Sequence, residues 1–314
     1  MSRETIAKIS GFVICLTFAG SAFLGCSDAS SHEKSVLDSQ DYQKPKIIGR
    51  LQNRDIKESS GIAASRCQNG VYWTHNDSGD GPFVFAFDAA GRDLGKWRVV
   101  GARNTDWEDI AASKDAGDKC FLYIGEIGNN KLERAEAGIY RVAEPNVNAG
   151  PAAPGADTET EAASLLRFRY PDGPHNAESL LVNAQTGNLY VLTKRIDGPA
   201  FIFRLQPDFN TTEPVTAEKI GEIAVPSVPN GLLTGAAVAD DGRSVIICDY
   251  TAGYELKLPA GDANFDDIWK QKPAVVDLGD RKQGESVTYS ADGRSILATS
   301  EGKSGEIFEI DRRK

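Results

Sequence analysis

From Pro45 onward, short runs of alternating apolar and polar residues are separated by clusters of Gly, Asn and Asp. Alternation with a period of two is the mark of half-buried strands, and those punctuating residues tolerate tight turns. Ser60–Ser65 leads through Arg66-Cys67-Gln68-Asn69-Gly70 to Val71–His75, and Phe83–Phe87 and Lys96–Val100 complete a set of four. One phrase opens each such set. It reads Ser60-Gly61-Ile62-Ala63, Glu108-Asp109-Ile110-Ala111, Glu178-Ser179-Leu180-Leu181, Thr234-Gly235-Ala236-Ala237 and Glu285-Ser286-Val287-Thr288. The steps between copies, 48, 70, 56 and 51 residues, belong to β-propeller blades. The pattern predicts an all-β chain: a five-bladed β-propeller of four-stranded antiparallel blades.

The second set is Glu108–Ser113, Cys120–Gly125, Gly138–Val142 and Leu165–Tyr170. The third is Glu178–Asn183, Asn188–Lys194, Ala200–Leu205 and Glu218–Val225. The fourth is Thr234–Ala239, Ser244–Asp249, Tyr254–Leu258 and Ala274–Leu278. The last has three strands only, Glu285–Ser290, Ser295–Thr299 and Glu306–Ile310. The N-terminal run Lys46–Leu51 supplies the fourth, which closes the ring and removes exposed edges. Six blades are the alternative, because the 70-residue step is long. Its surplus, Pro145–Ala163, lacks a strand pattern and reads as a mobile loop. Phe265–Lys270 is expected to make one helical turn.

The ends change the picture. Arg3 and Lys8 precede an apolar run from Ile9 to Phe23, too short and broken for a membrane span. It runs into Phe23-Leu24-Gly25-Cys26, which resembles a bacterial lipobox with Cys26 as the lipidated residue. Residues 1–25 are therefore expected to be a lipoprotein-type signal peptide, and 26–44 a polar tether too poor in apolar groups to order itself. The propeller would occupy 45–314. The expected location is the bacterial cell envelope, membrane-anchored through Cys26. The alternative is a plain secretory signal and a secreted or periplasmic protein. The formal net charge of −10 disfavours nucleic acid and anionic lipid as partners and suits a cation.

Cys67 and Cys120 fall in the turn between first and second strands of adjacent repeats, on one face. An exported chain permits a disulfide there; two free thiols are the alternative. Cys248 sits in the apolar run Val245-Ile246-Ile247-Cys248 and reads as a core residue.

In a propeller the innermost strand of each blade starts on the face where the second strand ends. The repeat starts supply Asp106, Glu108, Glu178 and Glu285. The second-strand ends supply Asp77, Glu126, Lys194, Asp249 and Glu301, with His75 and His175 beside them. Eight carboxylates around one cation would repel one another unless something neutralises them. A hard divalent cation is the economical answer, and Ca²⁺ suits a flexible oxygen cage better than Mg²⁺. The expected metal ligands are Asp106, Glu108, Glu126, Glu178, Glu285 and Glu301. The alternative is architecture: a repeated acid that accepts amides of the next blade. Two turns, Trp73-Thr74-His75-Asn76-Asp77-Ser78-Gly79 and Gly125-Glu126-Ile127-Gly128-Asn129-Asn130, concentrate polar groups at the same rim. They nominate Asn76, Asp77, Asn129 and Asn130 as ligand-binding, or else as plain Asx turns, and Asp249 joins them from its second-strand end. His75 or His175 could act as general base near neutral pH, with Lys194 and Glu178 completing a catalytic set. No Gly-x-Ser-x-Gly elbow, P-loop or dinucleotide fingerprint occurs.

The phrases Ser60-Gly61-Ile62, Trp73–Gly79, Asp106-Trp107-Glu108-Asp109-Ile110-Ala111, Ile124–Asn130, Tyr170-Pro171-Asp172-Gly173, Asn176-Ala177-Glu178-Ser179-Leu180 and Thr193-Lys194-Arg195 resemble a group of uncharacterised exported bacterial β-propeller proteins. The Ser-Gly-Ile and Asp-x-Glu-x-Ile phrases are also similar to the SdiA-regulated propeller family, and more distantly to phytase-like and esterase-like propellers. The phytase-like resemblance implies a Ca²⁺-rich acidic mouth that holds phosphate esters through the metal. This chain departs from it in offering only Lys194 and Arg195 as cations at the expected mouth.

Two functional expectations follow. One is a Ca²⁺-binding propeller with hydrolase-like action on a small phosphate or other ester. The other is a non-catalytic module of the cell envelope that binds a small-molecule ligand or an envelope protein on its channel face. The fold hosts both.

Overall fold

The computed structural model describes residues 41–149 and 158–313. Five mainly antiparallel sheets, each with four antiparallel strands at its heart, are built around a shared axis. Blade 1 consists of Ser59–Ala64, Val71–Asn76, Phe83–Asp88 and Asp93–Val100 from axis to rim; blade 2 of Trp107–Lys114, Cys120–Glu126, Ala137–Ala143 and Ser164–Arg169. Blade 3 consists of Ala177–Val182, Leu189–Arg195, Ala200–Leu205 and Glu218–Ile223; blade 4 of Gly235–Val238, Ser244–Cys248, Gly253–Lys257 and Ala274–Val276. Blade 5 takes Ser286–Tyr289, Ser295–Thr299 and Glu306–Asp311, and Lys46–Arg50 pairs antiparallel with the last of these. The five-bladed ring and its N-terminal closure therefore hold as expected, and Phe265–Lys270 is a short 3₁₀ helix.

The core lies between blades, which is why inner and second strands are buried on both faces. Trp73, Trp97, Trp107 and Tyr140 fill the space between blades 1 and 2. The closing strand is held at both sides. Gly49 and Gly91 let it pass the Ala90-Gly91 turn of blade 1: a Cβ on Gly49 would meet the Ala90 carbonyl at 2.4 Å, and one on Gly91 the Arg50 carbonyl at 2.0 Å. On the other side Glu255 of blade 4 accepts from the hydroxyls of Tyr42 and Tyr289, at 2.7 and 3.0 Å, and from Arg312 at 2.6 Å. Tyr42 is 2% exposed, so the folded chain begins before the Pro45 boundary drawn from composition.

The described part of the 145–163 segment, 145–149 and 158–163, is also more structured than its sequence suggests. Thr158–Ala162 adds a parallel fifth strand to the rim of blade 1. Only Thr160 is buried, and its hydroxyl accepts the Val100 amide at 3.1 Å; a strand of four polar residues and one exposed alanine leaves no apolar alternation to read. Residues 150–157, the expected signal peptide with Cys26, and the expected tether up to residue 40 lie outside the described residues.

Cys67 and Cys120 form a disulfide between blades 1 and 2, with Cα atoms 6.1 Å apart. Cys248 is a buried free thiol.

Candidate functional site

Each inner strand starts at the near mouth of the channel, and the repeat places an acid there in three blades. Glu108, Glu178 and Glu285 are 4%, 4% and 6% exposed. Asp77 and Asp106 join Glu108: one carboxylate oxygen from each lies within 4.8 Å of the other two. Two turns position them. Asn104 donates to the carbonyls of Asn76 and Asp77 at 3.1 and 2.9 Å and accepts the Trp107 amide, tying the blade 1 turn to the start of blade 2. Gly128 donates to the Asp106 carbonyl; a Cβ there would stand 1.9 Å from Glu108 Oε1 and 2.7 Å from Asp106 Oδ2. The missing side chain leaves the space into which both carboxylates reach.

Glu108 receives no hydrogen bond on its carboxylate among the described residues. Burial pushes its pKa well above the carboxylate range, and Glu178, Asp77 and Asp106 push it further. Burial likewise raises Asp106, followed by the Asp77 charge, against the pull of Arg134.

Blade 3 supplies a partly buried ammonium to the mouth. Gly231-Leu232 pairs with Lys194-Arg195 and fixes the end of that strand. Lys194 Nζ donates to both oxygens of Glu178 and to the Tyr250 hydroxyl, each at 2.6 Å. Its three N–H bonds are thereby spent. Burial opposes the Lys194 charge, but Glu178 and Tyr250 outweigh it and hold the ammonium. Burial raises Glu178 to about 7 despite the ammonium beside it. On the opposite side Glu285 and Glu301 adjoin, and burial followed by the neighbouring Glu285 carboxylate raises Glu301 to about 8. Glu58, on the crossing into blade 1, is raised by burial and by the charge of Glu301. Asp77, Asp106, Glu108, Glu178, Lys194, Glu285 and Glu301 thus surround one opening.

The remaining nominated residues are placed otherwise. Glu126 spends both oxygens on the Thr105 and Asp106 amides, at 2.9 and 3.0 Å, and pairs with Arg134; it builds the turn rather than offering ligands. Asp249 accepts the Thr251 and Ala252 amides and the Tyr254 hydroxyl. Burial works against its ionisation, but these bonds prevail and hold its pKa below the usual value. Asn76 accepts the Lys57 and Glu58 amides and donates to the Asp55 carbonyl and the Asp80 carboxylate, so its capacity is full. Asn129 closes its own loop through Arg134, and Asn130 accepts from Asn176.

Both histidines leave the site. His75 is wholly buried against the edge of Trp107, with Nδ1 on the Asn76 carbonyl, and burial lowers its pKa and keeps it neutral. His175 packs among Tyr170, Phe201 and Phe203 and bonds Asp172 at 2.8 Å. Neither ring reaches the acids, so the general-base assignment to them is withdrawn.

Tyr250, Glu58 and Arg134 enter the mouth without having been singled out from sequence. Tyr250 had a signal, since it follows Asp249 at a second-strand end. Asp109 was missed as well. It lies deeper in the channel and accepts the amides of Ile110, Leu180 and Ala236 at 2.8, 2.8 and 3.3 Å, binding the inner strands of blades 2, 3 and 4. Burial raises its pKa well above the usual value against those three bonds. Its counterparts Gly61 and Gly235 carry no side chain, and a Cβ on Gly61 would meet Asp109 Oδ1 at 2.8 Å.

No protein-family model and no curated protein matches the chain. Among solved structures it is similar to the soluble aldose sugar dehydrogenase of Escherichia coli in the apo form. The identity is 11%, with 86% of this chain and 99% of that chain covered and a TM-score of 0.43. The likeness to SdiA-regulated and phytase-like propellers rests on the quoted phrases alone.

Proposed function

We propose that the near mouth binds a divalent cation, with Ca²⁺ as the best fit, through Asp77, Asp106 and Glu108, and offers it to a small oxyanion ligand. The observation that carries this is Glu108: a carboxylate 4% exposed, without a hydrogen-bond donor, beside two further carboxylates. Such a group is costly to bury unless something compensates it. An all-oxygen set favours a hard ion, and ligands on two different turns suit the variable geometry of Ca²⁺ more than the strict octahedron of Mg²⁺.

With both histidines withdrawn, acid–base work on a bound phosphate or other ester falls to Glu178 and Glu301, whose values near 7 and 8 suit proton transfer at neutral pH. Tyr250 accepts from Lys194 and keeps its own proton for a ligand. A bound cation would polarise the ester oxygen. Among the described residues the mouth has no histidine and no free ammonium, which favours a second reading, in which the same cation-bearing mouth binds its ligand without turning it over. The Cys67–Cys120 disulfide supports an exported chain.

Calorimetric titration of Ca²⁺ and Mg²⁺ into EGTA-stripped protein tests the cation. Saturable Ca²⁺ binding, abolished by Glu108→Gln, is expected; no heat and no change in melting temperature would overturn it. A screen of generic phosphate and carboxylate esters with Glu178→Gln as control separates the two readings.

A further inference from the structure

The opposite end of the channel holds a second concave site. The inner strands end there, and a cavity of about 140 Å³ opens among Arg66, Ser113, Lys114, Val182, Val238 and Asp240. The throat above it is lined by Ile62, Ile110, Leu181 and small residues and leaves only about 20 Å³, room for a single water. The two mouths are therefore separate compartments.

Arg66 reaches across from blade 1 to blade 4. Nη2 donates to the Val238 carbonyl at 3.2 Å. Nη1 is 3.3 Å from Asp240 Oδ1, yet makes no hydrogen bond. The guanidinium side chain is 13% exposed while its counter-ion Asp240 is 67% exposed. A buried cation whose partner sits in water is poorly compensated, because solvent screens the pair. Burial accordingly lowers the Arg66 pKa, with only Asp240 and Glu144 opposing. Lys114 adds a second positive charge to the same wall, from blade 2. The residues that line the cavity thus carry two cations against one displaceable carboxylate, with Glu144 the further carboxylate felt by Arg66, in a chain whose net charge is −10.

We propose that this far mouth binds a small monoanionic oxyanion, a carboxylate or phosphate, between Arg66 and Lys114, with Asp240 as its competitor. The guanidinium fork matches two oxygens of such a group, and Lys114 supplies a point charge beside it. Asp240 swings into solvent when the anion enters.

The test uses EGTA-treated protein, so that a cation at the near mouth cannot recruit the anion. Sodium phosphate, sodium acetate and sodium chloride are compared at equal ionic strength by thermal shift and calorimetry. Saturable binding of phosphate or acetate but not chloride is expected, and the two arms identify the headgroup. Lys114→Ala should weaken binding, and Asp240→Asn should tighten it, each by up to about fivefold. Both positions are exposed, so the fold survives if Arg66→Gln does not. Equal response to all three salts, or affinities indifferent to Lys114→Ala and Asp240→Asn, would overturn the proposal.

Discussion

Lys194 Nζ stands 2.6 Å from both carboxylate oxygens of Glu178, at the end of the blade 3 second strand, where the other four blades carry Asp77, Glu126, Asp249 and Glu301 at or just past the strand end. The pair is nearly dry, with side chains 16% and 5% exposed. Removing one partner from a buried ion pair strands the other, at a cost of about 3–5 kcal/mol. Lys194→Met should therefore lower unfolding free energy by that order, while Lys194→Met combined with Glu178→Gln should recover much of it. Urea denaturation of the two single variants and the double variant measures the coupling. Additive losses would mean that the pair does not act as a unit.

The raised carboxylates set a pH dependence. Glu301 titrates near 8 and Glu178 near 7 in the folded chain, against an ordinary value of 4.5. Between 4.5 and those values the unfolded chain has lost protons that the folded chain still holds. Stability then falls as pH rises, and the loss is complete above the folded pKa. Metal-free protein should melt at lower temperature at pH 8.5 than at pH 5, and Glu301→Gln should flatten the slope. Ca²⁺ should restore the melting temperature most at the high-pH end, where the carboxylates are ionised. A melting temperature that climbs from pH 5 to 8.5 would contradict the crowding of acids at the mouth.

Asp109 joins three blades through three backbone amides. An unsatisfied buried amide costs about 1–3 kcal/mol, so Asp109→Ala should destabilise by on the order of 3 kcal/mol or more. Asp109→Asn should recover only part of this. Both oxygens accept N–H groups, and an amide NH₂ must oppose at least one of them. Chemical denaturation with both variants checks the order: wild type, then Asn, then Ala.

Much of the ring was legible because its signal is local. The phrase around Glu108, Glu178 and Glu285 marks the start of an inner strand in each blade, and strand ends fell within a few residues of their places. That starts and second-strand ends meet at one mouth follows from antiparallel pairing alone, so Asp77, Lys194 and Glu301 could be nominated from sequence. Side-chain direction was not legible. His75 occupies a strand buried along its whole length, and no alternation tells which face looks at the channel and which at the next blade. Nor does a turn sequence reveal how its polar atoms are spent: Asn76, Glu126 and Asp249 look like ligands and are consumed by amides and a neighbouring hydroxyl or cation. Tyr250 and Arg134 act through partners 56 and 8 residues away, and the strand at Thr158–Ala162 is held by blade 1 rather than by its own pattern.

Gly128 offers a test of the cation site that leaves every charge in place. A methyl group there would overlap Glu108 Oε1, at 1.9 Å, and crowd the Asp106 carboxyl, at 2.6 Å. The backbone does not resist, because Gly128 is not among the residues with positive φ. Gly128→Ala must therefore move one or both carboxylates out of the space they share with Asp77. If those three residues hold Ca²⁺, the substitution should weaken binding at least tenfold, which corresponds to about 1.4 kcal/mol. The melting temperature of the metal-free protein should change little or rise, because the acids are pushed apart. Calorimetric titration beside metal-free thermal unfolding separates these effects. Undiminished Ca²⁺ affinity in Gly128→Ala would place the ion elsewhere, with Glu285 and Glu301 the next carboxylates to examine.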